Sequence, residues 1–196
     1  MGVLDFISGG KGLRNPKSIR LGGQRLSQIL EAHEKFHRGL PGGVRAILDH
    51  ADLSYSDLRG RDLTGSVLAG CNLRGADVRG SKLGSADLSH ADLRSADLRN
   101  CDLTETNLAG ANLTEADLSG TELFRGDLSS AILHRTVLRG TVLRQAILRG
   151  ADFSGSDLTL SSFREIDFTD VKLDGADLTN AVVRDNKKTE LKPEVK

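Results

Sequence analysis

"ADLRSADLRNCDLTETNLAGANLTEADLSG", residues 91–120, carries a large apolar residue at every fifth position and a small one two places before it. The frame extends outward from this stretch without an insertion. It runs from Ala46 through 28 central positions, Leu48 to Val183, of which 23 are Leu and the others Val or Phe. The small slots hold residues such as Ala51, Ser56, Ser66, Cys71, Ala76, Ala86, Thr106 and Ala111. Arg61, Ile166 and Val171 are the misfits.

A period of five fits neither regular element. Side chains of a strand alternate, so an odd period would send successive leucines to opposite faces. In a helix, five residues advance about 500°, and the leucines would spiral around the whole circumference. The small residue and the Leu are two apart, so they share one side of a short extended piece. The next two residues, with Gly, Ser or Asn frequent at the second, must turn the chain. A corner every five residues makes a coil, and coils stack into a solenoid.

The tandem A(D/N)LXX of "ADLRSADLRNCDLTETNLAGANLTEADLSG" resembles the pentapeptide-repeat family, and the resemblance covers residues 46–185. It implies an all-β solenoid, a right-handed quadrilateral β-helix with four pentapeptides to a coil. That gives about seven coils and a rod roughly 34 Å long at ~4.8 Å per coil. Sampling the residue before the central one every 20 positions gives Asp57, Asp77, Asp97, Asp117, Val137, Asp157 and Asp177. The residue after it gives Arg59, Arg79, Arg99, Ser119 and Arg139. These read as parallel Asp and Arg columns on a solvated face, the opposite charges offsetting a like-charge repulsion of ~1 kcal/mol in water. Irregularity is expected at 160–172, where Leu160, Ile166 and Val171 break the size rule.

Residues 1–23, with Gly9, Gly10, Gly12, Gly22 and Gly23, are expected to be flexible. Residues 24–45 are expected to form a helical cap. Leu26, Ile29, Leu30, His33, Phe36 and His37 follow the 3–4 spacing, Ser27 is placed to cap the helix and Gly39 to end it. A solenoid's first coil exposes its backbone edge and apolar lumen, so it needs such a lid. Arg61, too large for its inward slot, is expected to reach toward it. The tail, 186–196, is polar and contains Pro193, which makes a poor lid. A homodimer through the C-terminal coil is the expected alternative cover.

Formal net charge is zero, which gives no argument for direct nucleic-acid or membrane binding. No run approaches the ~18 apolar residues of a membrane span. The N-terminal stretch lacks a secretory pattern, and Phe6 stands where a myristoylation signal wants Ser or Thr. With only Cys71 and Cys101, both in inward slots, a disulfide framework is not expected and a cytoplasmic protein is.

"HEKFH", residues 33–37, matches the zinc-peptidase signature H-E-x-x-H, with Glu34 beside His33 and His37. Those histidines share the face that a lid must bury. His50, His90 and His134 fall on outward positions, and no cleft surrounds the helix. We therefore read packed helix-face histidines and expect no catalytic residue, metal or cofactor. The family resemblance also implies members that mimic DNA and protect gyrase through a strongly acidic rod. Here residues 46–185 hold 22 acidic and 15 basic residues, a net of −7, interrupted by arginines. Mimicry therefore stands second to a binding or scaffolding role.

The interruption is "AILHRTVLRGTVLRQAILRG", residues 131–150, where Ile132, Val137, Val142 and Ile147 replace the Asp. Four beats complete one circuit, so they form an apolar ring decorated by Arg135, Arg139, Arg144 and Arg149. β-Branched residues suit exposed ladders in any case, and four side chains fall short of the ~1,200 Å² of a standard interface. One face extends the ring. Phe124, Arg144, Arg164 and Arg184 recur at 20-residue intervals beside Val142, Ser162 and Val182. A hydrophobic anchor with arginines is the composition interfaces favour. The expected contact for a protein partner is Phe124, Val142, Arg144, Arg164, Val182 and Arg184, flanked by Arg139 and Arg149.

Overall fold

The computed structural model describes residues 12–184. From residue 46 the chain winds as a right-handed quadrilateral β-helix. Residues 20 apart meet in parallel bridges, Ile47 with Val67, Asp52 with Asn72, Asp57 with Asp77, Asp62 with Lys82, and so on down the rod. With coil one at 46–65, faces one to four begin at residues 46, 51, 56 and 61.

The central side chains from Leu48 to Phe168 are buried and form the lumen. Leu173, Leu178 and Val183 are only partly buried, because among the described residues nothing covers coil seven. The small slots also point inward. Some of their hydroxyls donate to the coil before, Ser81 Oγ to the Leu58 carbonyl at 2.8 Å and Thr106 Oγ1 to that of Leu83 at 2.7 Å, whereas those of Thr121, Ser156 and Ser161 donate to the carbonyl three residues back. The Cys101 thiol also donates to the coil before, to Val78 at 3.0 Å. Ser56 and Ser66 are buried without such a partner. The acceptor 23 residues earlier would belong to a coil that does not exist.

Every fifth residue from His50 to Asn180 sits at positive φ, glycine or not. Leu160, at φ 60° and 59 % exposed, suits that corner least. The outward Asp or Asn pins the corner by accepting the N–H two residues on: Asp52 from Ser54 at 3.1 Å, Asn107 from Ala109 at 3.0 Å, Asp127 from Ser129 at 2.8 Å. Asx side chains are suited to this because their acceptor lies one turn from the backbone donor.

Face three is the solvated column expected only in part. Asp77 and Asp97 are buried. Arg79 forks onto Asp77 at 2.8 and 2.6 Å while its Nε also faces Asp97 at 3.4 Å. Arg59 and Arg99 repeat the pattern, so each guanidinium bridges the carboxylates of successive coils and interlocks them. Face two has one such fork, Arg94 on Asp92, but faces one and two also use another solution. There Asp alternates with Asn, and Asn72 and Asn107 donate to Asp52 and Asp87 at 3.2 and 3.1 Å.

At the N-terminal end, the segment expected to be flexible is ordered from Gly12 onward; residues 1–11 lie outside the described residues. The strands β1 (Arg20–Leu21) and β2 (Gln24–Arg25) form an antiparallel hairpin turned by Gly22 and Gly23, and Ile19 is buried. Arg14 pairs in parallel with Ser56, completing the edge of coil one. The helix α1 (Leu26–His37) starts at Arg25, not Ser27, with the Arg25 N–H held by Gln28 Oε1 at 3.0 Å. It ends at Gly39, φ 63°, as its spacing suggested. Leu26, Leu30 and His33 are buried over the lumen. Phe36 is not. The loop that follows packs against the helix backbone beside it, leaving the ring 48 % exposed.

The lid also seals the edge with polar groups. His37 Nε2 and Arg45 Nε engage the carbonyls of Thr64 and Gly65, and Arg61 reaches Glu34 at 3.6 Å. At the other end, the irregularity near 160–172 appears as a three-residue strand, β3 (Ser162–Arg164), paired in parallel with β4 (Val182–Arg184). Ile166 fills a small slot there, and the Phe163 and Phe168 rings meet at 5.4 Å. The tail at 186–196 lies outside the described residues.

Candidate interaction surface

The ring at residues 132–147 gives up its corner acceptors. Ile and Val have no oxygen to hold the N–H two residues on, so four corners exchange that bond for apolar surface. Ile132 and Ile147 are exposed, and Val137 and Val142 half-buried.

On face four, Glu122, Val142, Ser162 and Val182 stack in register, and Arg164 lies against Arg184. The Phe124 ring is flanked by two guanidiniums, with Arg125 Cζ 4.9 Å and Arg144 Cζ 5.6 Å from its centroid. Such contacts contribute about 0.5–1 kcal/mol at exposed sites and hold the ring in place. Arg144 is held by Glu165 at 3.2 Å. A polar chain runs along the corner beside it: Glu105 meets Arg125, Arg125 donates to Gln145 Oε1 at 3.0 Å, and Gln145 donates to Glu165. The Gln145 amide and then the Arg144 charge hold the Glu165 carboxyl below its ordinary pKa. Sequence reasoning missed this chain, although the corner column Glu105, Arg125, Gln145, Glu165 alternates visibly when sampled every 20 residues.

Arg164 and Arg184 are exposed and make no ion pair among the described residues. The structure thus gathers Phe124, Val142, Arg144, Arg164, Val182 and Arg184 on one face. Arg139 borders it from face three but is bound to Asp157 at 2.9 Å. Arg149 stands on face one, at the corner remote from the stripe, and does not join it.

His33, Glu34 and His37 of "HEKFH" each have a structural partner. His33 is fully buried and its Nδ1 accepts the Ala46 N–H at 3.1 Å. Burial, and then the neighbouring His37, push its pKa below the ordinary value. Glu34 holds Arg61, and His37 holds the coil-one edge. Among the described residues, no three His, Cys, Asp or Glu side chains are grouped to hold a metal. Cys71 and Cys101 are free thiols that burial pushes up to about 12, so they are unreactive core residues. A recess of about 480 Å³ between the N-terminal segment and coil one is lined by Lys17, Ser27, Arg59 and Arg61 among others. Its two arginines are already engaged by Asp57 and Glu34.

The family model for pentapeptide repeats matches in 8 copies over residues 46–84, 86–123, 121–164 and 146–185. The chain belongs to the pentapeptide-repeat family. Among solved structures it is similar to HetL, a pentapeptide-repeat protein involved in heterocyst differentiation regulation in the cyanobacterium Nostoc sp. strain PCC 7120. That match has 30 % identity, covers 72 % of this chain and 82 % of that one, and has a TM-score of 0.31. A pentapeptide-repeat protein of the Arabidopsis thaliana thylakoid lumen matches at 34 % identity over 48 % of this chain and 69 % of its own, TM-score 0.31. QnrB1, a plasmid-mediated fluoroquinolone resistance protein, matches at 20 % identity over 72 % and 80 %, TM-score 0.40. No curated protein sequence matches significantly. Among the described residues of this pentapeptide-repeat protein, no helix is long and apolar enough to cross a membrane.

Proposed function

We propose that this pentapeptide-repeat protein is a non-enzymatic, cytoplasmic binding or scaffolding rod that docks a protein partner along face four, from coil four to coil seven. The observation that carries this is the pair Arg164 and Arg184. They stand one coil apart, exposed and without an ion pair among the described residues, beside Val142, Val182 and the clamped Phe124. Arg59, Arg79, Arg94, Arg99 and Arg139, by contrast, each hold an Asp. Unpaired arginines around an apolar anchor favour an acidic partner, which should associate faster at low salt. The stripe ends at coil seven, whose partly buried Leu173, Leu178 and Val183 support a homodimer through that coil. Two buried free thiols fit a reducing compartment.

The test is Arg164→Glu with Arg184→Glu, which leaves the lumen untouched. Thermal stability should be nearly unchanged, while partners recovered from the source extract, or the oligomeric state, should change. If both stay the same, the stripe is merely solvated surface.

One observation favours the DNA-mimic alternative acting on gyrase. On face one, Asp49, Asp87 and Asp127 make no ion pair among the described residues, and Arg149 is the only arginine or lysine of that face. A dose-dependent effect in a gyrase supercoiling assay, abolished by Asp87→Asn with Asp127→Asn, would move that reading to first place.

A further inference from the structure

Phe36, Leu40, Val44 and Ile47, each between 42 % and 63 % exposed, form a concentration of apolar surface at the N-terminal lid. None of the four packs against the lumen. The loop that carries them folds back along α1. Leu40 N–H donates to the Lys35 carbonyl at 2.9 Å, Gly43 N–H to that of Leu40 at 3.1 Å and Val44 N–H to that of Ala32 at 2.9 Å. Arg38 N–H and Gly39 N–H return to Glu34 and Phe36, both at 3.1 Å. Pro41 has no N–H, so five of the six backbone donors between Arg38 and Val44 are satisfied within the lid. Exposed donors can rely on water, whereas donors that enter an apolar medium need partners that travel with them. This loop can lose its water at the cost of one donor, the Gly42 N–H.

The charges around the patch are mostly positive. Residues 12–47 hold seven basic and two acidic residues, a local net of +5 that the zero total conceals. Both acidic side chains are occupied, Glu31 by Lys35 at 3.3 Å and Glu34 by Arg61 at 3.6 Å. Arg38 and Arg45 are exposed and make no ion pair among the described residues. Against them stands Asp49, two residues past Ile47, which also makes no ion pair among the described residues. The exposed apolar area is on the order of 300–400 Å², against ~800 Å² per partner in a standard interface. A folded partner would find too little to bury. A bilayer needs no complementary shape and accepts whatever apolar side chains reach it.

We propose that the lid docks on a bilayer surface containing anionic phospholipid. Phe36, Leu40, Val44 and Ile47 enter the boundary between headgroups and acyl chains, and Arg38 and Arg45 meet the phosphates. Apolar insertion and attraction to anionic headgroups add in such contacts, and neither suffices alone at this size. The stems of the two arginines can lie along the apolar side chains while their guanidiniums stay at the phosphate level. This does not depend on the role proposed for face four. The lid caps coil one and the stripe begins at coil four, so lipid contact at the first leaves the second open.

The protein has no Trp, so Phe36→Trp supplies a single reporter in the full chain. In buffer its emission should be red and readily quenched by acrylamide at every protein concentration. Phosphatidylcholine–phosphatidylglycerol vesicles should shift it to the blue and protect it. Phosphatidylcholine alone should do so far less, and high salt should remove the difference. Co-sedimentation of the protein with native Phe36 is the second measurement. Leu40→Asp with Val44→Asp should abolish binding to the anionic vesicles, and Arg38→Glu should weaken it by at least about fivefold. All three sites are exposed, so Tm should stay the same. An indole that anionic vesicles leave unshifted overturns the proposal, as does sedimentation unaffected by Leu40→Asp/Val44→Asp. So does an indole already protected in buffer: protection that rises with protein concentration would mean a second copy on the patch, and constant protection would mean that the patch is not free surface.

Discussion

Val137→Asp tests directly why this chain writes Asp so persistently. In the same column, Asp77 Oδ1 accepts the Arg79 N–H at 3.3 Å and Nε at 2.8 Å, and Oδ2 takes Nη2 at 2.6 Å. Arg139 stands two residues after Val137 in the corresponding place, so the substitution should recreate that set. The corner hydrogen bond contributes about 0.5–1.5 kcal/mol. A half-exposed fork adds up to ~1 kcal/mol. Against this stand up to ~1 kcal/mol of lost β-branched preference and repulsion from Asp117 and Asp157, ~1 kcal/mol each in water before the arginines offset it. The expected net gain is about 1 kcal/mol, or ~2–4 °C in Tm for a chain of this size. Val137→Asn separates the terms, since it supplies the acceptor without the charge. Thermal and urea unfolding of both variants should show Asn stabilising and Asp at least matching the wild type. If neither raises Tm, pinning the corner is not what the Asx residue does.

Two further outcomes concern the lid. Burial holds the His33 pKa below 6.5, so the unfolded chain binds that proton more readily. The stability it contributes is complete above pH 6.5 and is lost as pH falls through the folded value. Exchange at the Ala46 amide should therefore accelerate as pH drops below 6.5, after correction for intrinsic rates, and His33→Asn, which keeps an acceptor near the Nδ1 position, should remove that dependence. Equal dependence in both proteins would point elsewhere. In Gly43→Ala, a Cβ would lie 2.4 Å from the Phe36 nitrogen and 2.5 Å from its Cα, backbone atoms that cannot rotate away. The lid should loosen by about 2 kcal/mol, read as faster exchange in α1 with coils four to six unaffected.

The lumen was legible because one residue type, Leu, repeats at an interval no straight element tolerates. The positive-φ corners were half legible: Gly, Ser and Asn announce them, but Glu105, Arg125 and Leu160 occupy the same conformation because the coil imposes it. Asp77 and Asp97 show the limit of periodic sampling, which finds columns but not whether an arginine forks onto one carboxylate and reaches the next. Phe36 shows the limit of helical spacing, since a loop beyond Gly39 decides which side is free. Gly22 and Gly23 turn a hairpin that composition alone presents as slack. Within the stripe, the sequence locates Arg164, Arg184 and the nearby corner residue Glu165, while only side-chain geometry shows that Arg144 ties to it.

The constant interval of 20 residues between paired strands has a kinetic consequence. Parallel β-structure is normally slow to form because its partners are far apart in the chain. Here the dominant separation corresponds to a relative contact order of ~0.1, in the range of helical bundles. Each coil needs only its predecessor as a template, and the lid that orders coil one leaves the ribosome before the coils do. At roughly 5–20 residues per second, a new coil emerges every few seconds, about the time scale of a slow folding step or longer. The rod should therefore assemble vectorially during synthesis, from coil one toward coil seven.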